Sequence, residues 1–238
     1  LVGTERPCEI VDVSVARKME ISVIHPVPGR GDERLAQRLF TFPEVAARIR
    51  EMRNLILSHR STLVFTNTRP MAEVLGSRFY LWDVKFPISV HHGSLSAATR
   101  VGAERRLKQG ELKGIICTSS MELGIDIGHV DLVIQYNSPR QATRLIQRVG
   151  RSGHGVDDVS RGYVVAVDRD DLAEVTVLAK LARERRLDRV RIPRKPLDIL
   201  AQHIVGMSLE RKWKLEEAYR IVKRAYNYYD LSWDEFMS

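Results

Sequence analysis

Four short, largely apolar runs, at 62–66, 114–118, 132–135 and 163–167, and a shorter segment at 88–91 with Ile88 and Val90, predict buried strands. Between them apolar residues recur at helical spacing. The first such set is Val45, Ile49, Met52 and Ile56, in a helix opened by Pro43 and ending near His59. Further helices are expected at about 70–79, 97–109, 141–149 and 168–185, the last with Asp168 as a candidate N-cap. Strands alternating with helices in this way predict an α/β fold, a parallel sheet flanked by helices on both faces. Upstream, apolar–polar alternation at 8–15 and 20–25 predicts two short strands, followed by a Pro-Gly-rich loop at 26–31. Downstream, a basic run at 183–194 marks a domain boundary, and amphipathic stretches at 196–209 and 215–228 predict a small C-terminal helical extension. The aromatic residues gathered there, Trp213, Tyr219, Tyr226, Tyr228, Tyr229 and Trp233, are read as its core, with base stacking the lesser alternative.

Composition narrows the partners. A chain of 238 residues with 44% hydrophobic residues can bury one domain and an appendage. Lys and Arg number 38 against 30 Asp and Glu, a formal charge of +8 that suits a polyanion. Cys8 and Cys117 lie far apart, with no Cys-x-x-Cys and no His at zinc spacing, so no metal site is expected and a reducing, intracellular setting fits. No apolar run approaches a membrane span, so no membrane partner is expected. The start, Leu1-Val2-Gly3, lacks an initiator Met and a signal profile, and the chain is expected to be an excised part of something longer.

Chemistry concentrates where strands are expected to end. The run at 62–66 leads into Asn67, Thr68 and Arg69, that at 88–91 into His92, Gly93 and Ser94, and that at 114–118 closes on Thr118 before Ser119 and Ser120. Hydroxyls, a cation and free amides at the carboxyl ends of parallel strands suit a backbone phosphate. Adjacent His91 and His92 point to opposite faces of a strand, which disfavours a shared metal. Arg148 and Arg151 lie three apart, near neighbours on one helical face, followed by a Gly-bearing turn that lets backbone approach a ligand. Two guanidiniums so placed can clamp a triphosphate bidentately. The plainer alternatives are a solvated helix end with a glycine C-cap, and Asp126 as a turn residue.

Gln147-Arg148-Val149-Gly150-Arg151-Ser152-Gly153-His154 resembles motif VI of the superfamily-two helicases, Gln-Arg-x-Gly-Arg-x-Gly-Arg, with His154 standing where that pattern has its last arginine. Residues 118–127 resemble motif V and residues 62–69 motif IV, and 91–96 are similar to the segment between them that lines the nucleic-acid track. More narrowly, 90–96, 122–128 and 147–154 resemble the large helicase-related family, and 196–205 are similar to that family's entry into its winged-helix domain. The resemblance implies a RecA-like domain, the second of a pair. Residues 1–30 would be strands and linker arriving from the first domain, 31–190 the second RecA-like domain, and 191–238 the start of the winged-helix domain. It also implies that Arg151, with Arg148 and Gln147, acts on the triphosphate. Gly124, Asp126, Arg151 and His154 would face the nucleotide, and Thr68, Arg69, His92, Gly93 and Thr118 the nucleic acid.

A Gly-x-x-x-x-Gly-Lys-Ser/Thr loop is absent, as is a strand-terminal Asp-Glu pair, since Asp234-Glu235 sits in the aromatic tail. ATP and Mg2+ are therefore expected mainly on the absent first domain, and this stretch alone is expected not to hydrolyse ATP. The resemblance implies the second motor half of an ATP-dependent helicase, moving 3′ to 5′ on single-stranded DNA or unwinding DNA or RNA–DNA duplexes, intracellular and nucleoid-associated. Its partners would be the first RecA-like and winged-helix domains of the same polypeptide. The competing class is an ATP-independent nucleic-acid-binding scaffold that kept the fold. A dehydrogenase is disfavoured by the lack of a Gly-x-Gly-x-x-Gly turn after a first strand.

Overall fold

The sheet follows from how its strands alternate. In a computed structural model describing residues 7–9, 18–122, 128–153, 159–189 and 191–238, six strands form one parallel sheet. They are β1 (Met19–Ile24), β2 (Thr62–Phe65), β3 (Ile88–His91), β4 (Gly114–Cys117), β5 (Leu132–Tyr136) and β6 (Ser160–Val165), in the order β1-β6-β5-β2-β4-β3. Leu63, Phe65, Ile115, Cys117 and Val133 point to one face, where they meet α4 (Ala97–Lys108), α5 (Ala142–Val149) and α6 (Arg169–Arg183). Val64, Ile116, Leu132, Ile134 and Tyr136 point to the other, where they meet α2 (Pro43–Leu57) and α3 (Arg69–Trp82). Two apolar faces explain why the central strands read as continuous apolar runs rather than alternating ones. Gln135 is the polar residue within β5, and it is fully buried.

The chain divides into two compact units, Ala16–Asp188 and a second made of Leu1–Val15 with Arg189–Ser238. β1, expected within a segment linking from another domain, pairs along its whole length with β6 and so edges this sheet. The strand expected at 8–15 lies, beyond Glu9, outside the described residues. A helix that periodicity could not show, α1 (Asp32–Arg38), fills the expected gap before Pro43. One to two turns give too few apolar repeats to detect. It is held from Asp32, whose buried carboxylate accepts from Gly29 N at 2.8 Å and pairs with Arg50 at 2.9 Å. Arg50 holds that carboxyl below its ordinary range.

β6 begins at Ser160, before the expected 163, because Gly162 leaves no apolar signature. The glycine is required: a Cβ there would lie 2.5 Å from Val149 Cγ2, so the end of α5 closes onto β6 across a bare backbone.

In the second unit α7 (Leu197–Glu210), α8 (Leu215–Lys223) and α9 (Trp233–Met237) enclose a small core of Leu200, Val222, Tyr228 and Leu231. α8 stops short of the expected 228 because Tyr228 folds back in a 3-10 turn, Tyr226–Tyr228, to donate its hydroxyl to Pro196 O at 3.1 Å. Among the described residues no helix is long and apolar enough to cross a membrane.

Candidate nucleic-acid and nucleotide-facing site

Because all strands run parallel, their carboxyl ends share one edge. Phe65 and His91 both register against Cys117, so the tips of β2, β4 and β3 stand side by side, roughly 5 Å apart. Thr66 N donates to Cys117 O at 2.8 Å and extends that pairing one residue past β2. The fold therefore brings Thr68, Arg69, His92, Gly93 and Thr118 to one rim. Thr68, Arg69 and Gly93 are exposed. Thr68 caps α3, its hydroxyl accepting weakly from Met71 N at 3.4 Å, and Arg69 donates to Ser94 Oγ. Thr118 is mostly buried at 8% exposure, yet its hydroxyl makes no hydrogen bond among the described residues.

His92 corrects its expectation. Its ring is 5% exposed, with Nε2 2.6 Å from Glu73 Oε1 and Nδ1 accepting from Ser94 N at 3.3 Å. The imidazole is thus spent on holding the turn, and only the backbone and Gly93 face outward. His91, 1% exposed, lies between Ser120 Oγ (2.9 Å) and Glu104 Oε1 on α4 (2.9 Å).

Arg148 and Arg151 part company. Arg148, expected beside Arg151 in a phosphate clamp, is 1% exposed and points into the domain. Its Nε and Nη2 donate to Glu122 Oε1 at 2.8 and 2.5 Å, and its Nη1 donates to Gln135 Oε1 at 2.6 Å and Asn67 Oδ1 at 3.2 Å. The guanidinium also lies over the Phe65 ring, 5.2 Å from its centroid. Burial lowers its pKa while Glu122 opposes the shift. The physical reason is α5 itself: residue 148 falls on the face toward the sheet, with Leu145 and Val149, while residue 151 lies beyond the helix end. The buried thiol of Cys117 nearby is pushed up by desolvation and is inert.

Arg151 is also not in the crevice beyond the strand tips. α5 runs back down the sheet, so the segment after it meets the opposite edge. Gly153 N donates to Val130 O at 3.1 Å and Ser152 Oγ to Arg161 O at 2.9 Å, beside the starts of β5 and β6. One strand length, about 17 Å for the five residues of β5, separates the two edges. Arg151 is half-buried and forms no side-chain hydrogen bond or ion pair among the described residues. Gln147 is exposed. Gly124, Asp126 and His154 lie outside the described residues.

Sequence reasoning gave no role to Glu122, Asn67 and Gln135 around Arg148, nor to Glu73, Glu104 and Ser120 around the histidines. Gln135 carried a signal, since a polar side chain inside a buried strand must find a partner.

The model of a helicase conserved C-terminal domain matches residues 47–155, and that of the winged-helix domain of large helicase-related proteins matches 180–238. The chain belongs to the large helicase-related family. As a region of that family it comprises the second RecA-like domain and winged-helix residues. It is 46% identical to the ATP-dependent helicase Lhr-Core protein 2 of Thermococcus barophilus and 44% identical to the ATP-dependent helicase Lhr-Core of Methanocaldococcus jannaschii, over 99% and 100% of its length. It spans 27% of the length of each. Among solved structures, the Mycobacterium smegmatis helicase Lhr bound to ssDNA and AMP-PNP matches all of the chain and 31% of its own, at 32% identity and a TM-score of 0.88.

Proposed function

We propose that this large helicase-related chain is the strand-gripping, ATP-responsive half of an ATP-dependent helicase. One observation carries the reading. Thr68, Arg69, Gly93 and Thr118 share one edge of the sheet, while Arg151, at the other end of the same strands, is a half-buried guanidinium with no side-chain partner among the described residues. A cation kept unpaired there is available to a phosphate presented by a neighbouring domain.

In this reading ATP with Mg2+, held mainly by the first RecA-like domain, supplies the phosphoryl transfer that drives opening and closing. Arg151 lies against the charge that develops on the phosphates, and Gly124, Asp126 and His154 complete this side of the nucleotide site. At the other edge Thr68, Arg69, Gly93 and Thr118 hold backbone phosphates without reading bases. Arg148 acts as a positioning residue, tying the segment after β4 (Glu122) to the tip of β2 (Asn67) and to α5, which leads to Arg151. The substrate is single-stranded DNA, as in the mycobacterial complex. The family likeness extends this to 3′ to 5′ movement, unwinding of DNA or RNA–DNA duplexes and a nucleoid-associated place in the cell.

The test is Arg151→Ala in the full-length protein. ATP turnover should fall roughly a thousandfold or more, while affinity for single strands, read by fluorescence anisotropy, changes less than about twofold. Turnover that survives the substitution refutes the finger role. A full-length protein that binds strands without any strand-stimulated turnover would instead be the scaffold.

A further inference from the structure

The rim of exposed phosphate-suited groups rests on a layer of buried ones. His91 and His92 are consecutive, so their rings leave β3 on opposite sides, and each ends on a carboxylate from a different helix. His92 Nδ1 accepts from Ser94 N, so its Nε2 carries the proton and donates to Glu73 of α3. His91 Nε2 likewise faces a carboxylate, 2.9 Å from Glu104 Oε1 of α4, while its Nδ1 lies 2.9 Å from Ser120 Oγ. Arg69, one turn before Glu73 on α3, closes the circuit onto Ser94. Three separate strand-tip turns, at 67–69, 92–94 and 118–121, are thereby joined through side chains as well as through the sheet.

We propose that His91 and His92 are positioning residues that fix the spacing of these three turns, so that Thr68, Gly93 and Thr118 meet successive phosphates of one strand as a single surface. The inference rests on the strand-gripping reading above. His91 is the central link. Its ring holds Ser120, two residues past Thr118, and is itself held by α4. Ser120 Oγ also donates to His91 O at 3.4 Å, so both side-chain hydrogen bonds that join Ser120 to a neighbouring element among the described residues end on His91. A side-chain hydrogen bond of this kind contributes on the order of 1 kcal/mol, or about fivefold in a binding constant when the contact it orients depends on it.

Ser120 offers the mildest perturbation, being half-buried and outside the apolar core. In the full-length protein, Ser120→Ala should raise the single-strand concentration giving half-maximal ATP turnover about fivefold. Turnover at saturating strand should fall less than about twofold. Ser120→Thr, which keeps the hydroxyl, should restore the half-saturating concentration. Thr118→Ala and Arg69→Ala are run beside it. If they weaken strand binding and Ser120→Ala does not, the positioning role is overturned while the grip stands. If none of the three weakens it, the strand-gripping reading falls and takes this inference with it. A Ser120→Ala loss that Ser120→Thr does not rescue also overturns the proposal.

Discussion

Removing Arg148 tests how far this domain depends on one buried cation. Arg148→Ala deletes a side chain 2% exposed and leaves Glu122, itself only 12% exposed, without its ion-pair partner at 2.5 Å. It also strips Gln135 Oε1 and Asn67 Oδ1 of a donor. Breaking a buried pair by deleting one partner costs about 3–5 kcal/mol, chiefly because the remaining charge stays desolvated. For a unit the size of Ala16–Asp188, each kcal/mol lowers Tm by roughly 2–4 °C. The expected fall is therefore about 6–20 °C, read by calorimetry and by urea denaturation followed by circular dichroism. The mechanism makes a sharper demand: Arg148→Met combined with Glu122→Leu should recover most of the loss, since neither charge is then stranded. Arg148→Ala within about 1 kcal/mol of the parent, or a double variant no better than the single one, would refute the reasoning.

Gly162→Ala places a Cβ 2.5 Å from Val149 Cγ2 and 3.0 Å from its Cγ1, atoms of a stiff β-branched side chain at the end of α5. It should cost about 1–3 kcal/mol in urea unfolding, and Val149→Ala should relieve part of it; an unaltered midpoint would count against the close approach. In the second unit Lys195, with the backbone and hydroxyl of Ser232, pulls the Glu235 carboxyl from 4.5 down to about 2. A depressed carboxyl contributes stability that is present above its unfolded value, near pH 4.5, and is lost as pH falls through about 2. A carboxyl-detected NMR titration should show Glu235 still ionised at pH 3.5, and titration near 4.5 would show the pair to be unformed.

Apolar spacing was enough to determine the alternation of strands and helices, and hence a parallel sheet, because strands covered on both faces must read as unbroken apolar runs. The order of polar segments after those strands was equally legible, since each belongs to a few consecutive residues. Helix α1 and the early start of β6 were not, one being too short to repeat and the other depending on a glycine whose reason lies on α5. Only the tertiary structure separated Arg148 from Arg151. Three residues apart looks like one face on a helical wheel, but the helix ends at Val149, so one guanidinium turns into the sheet and the next emerges beyond it. It likewise turned His92 from a ligand contact into a buried brace, and set Arg151 a strand's length from the rim. Which side of a helix meets the sheet, and where the chain turns back, are decided by contacts between residues distant in sequence, and local pattern carries no record of them.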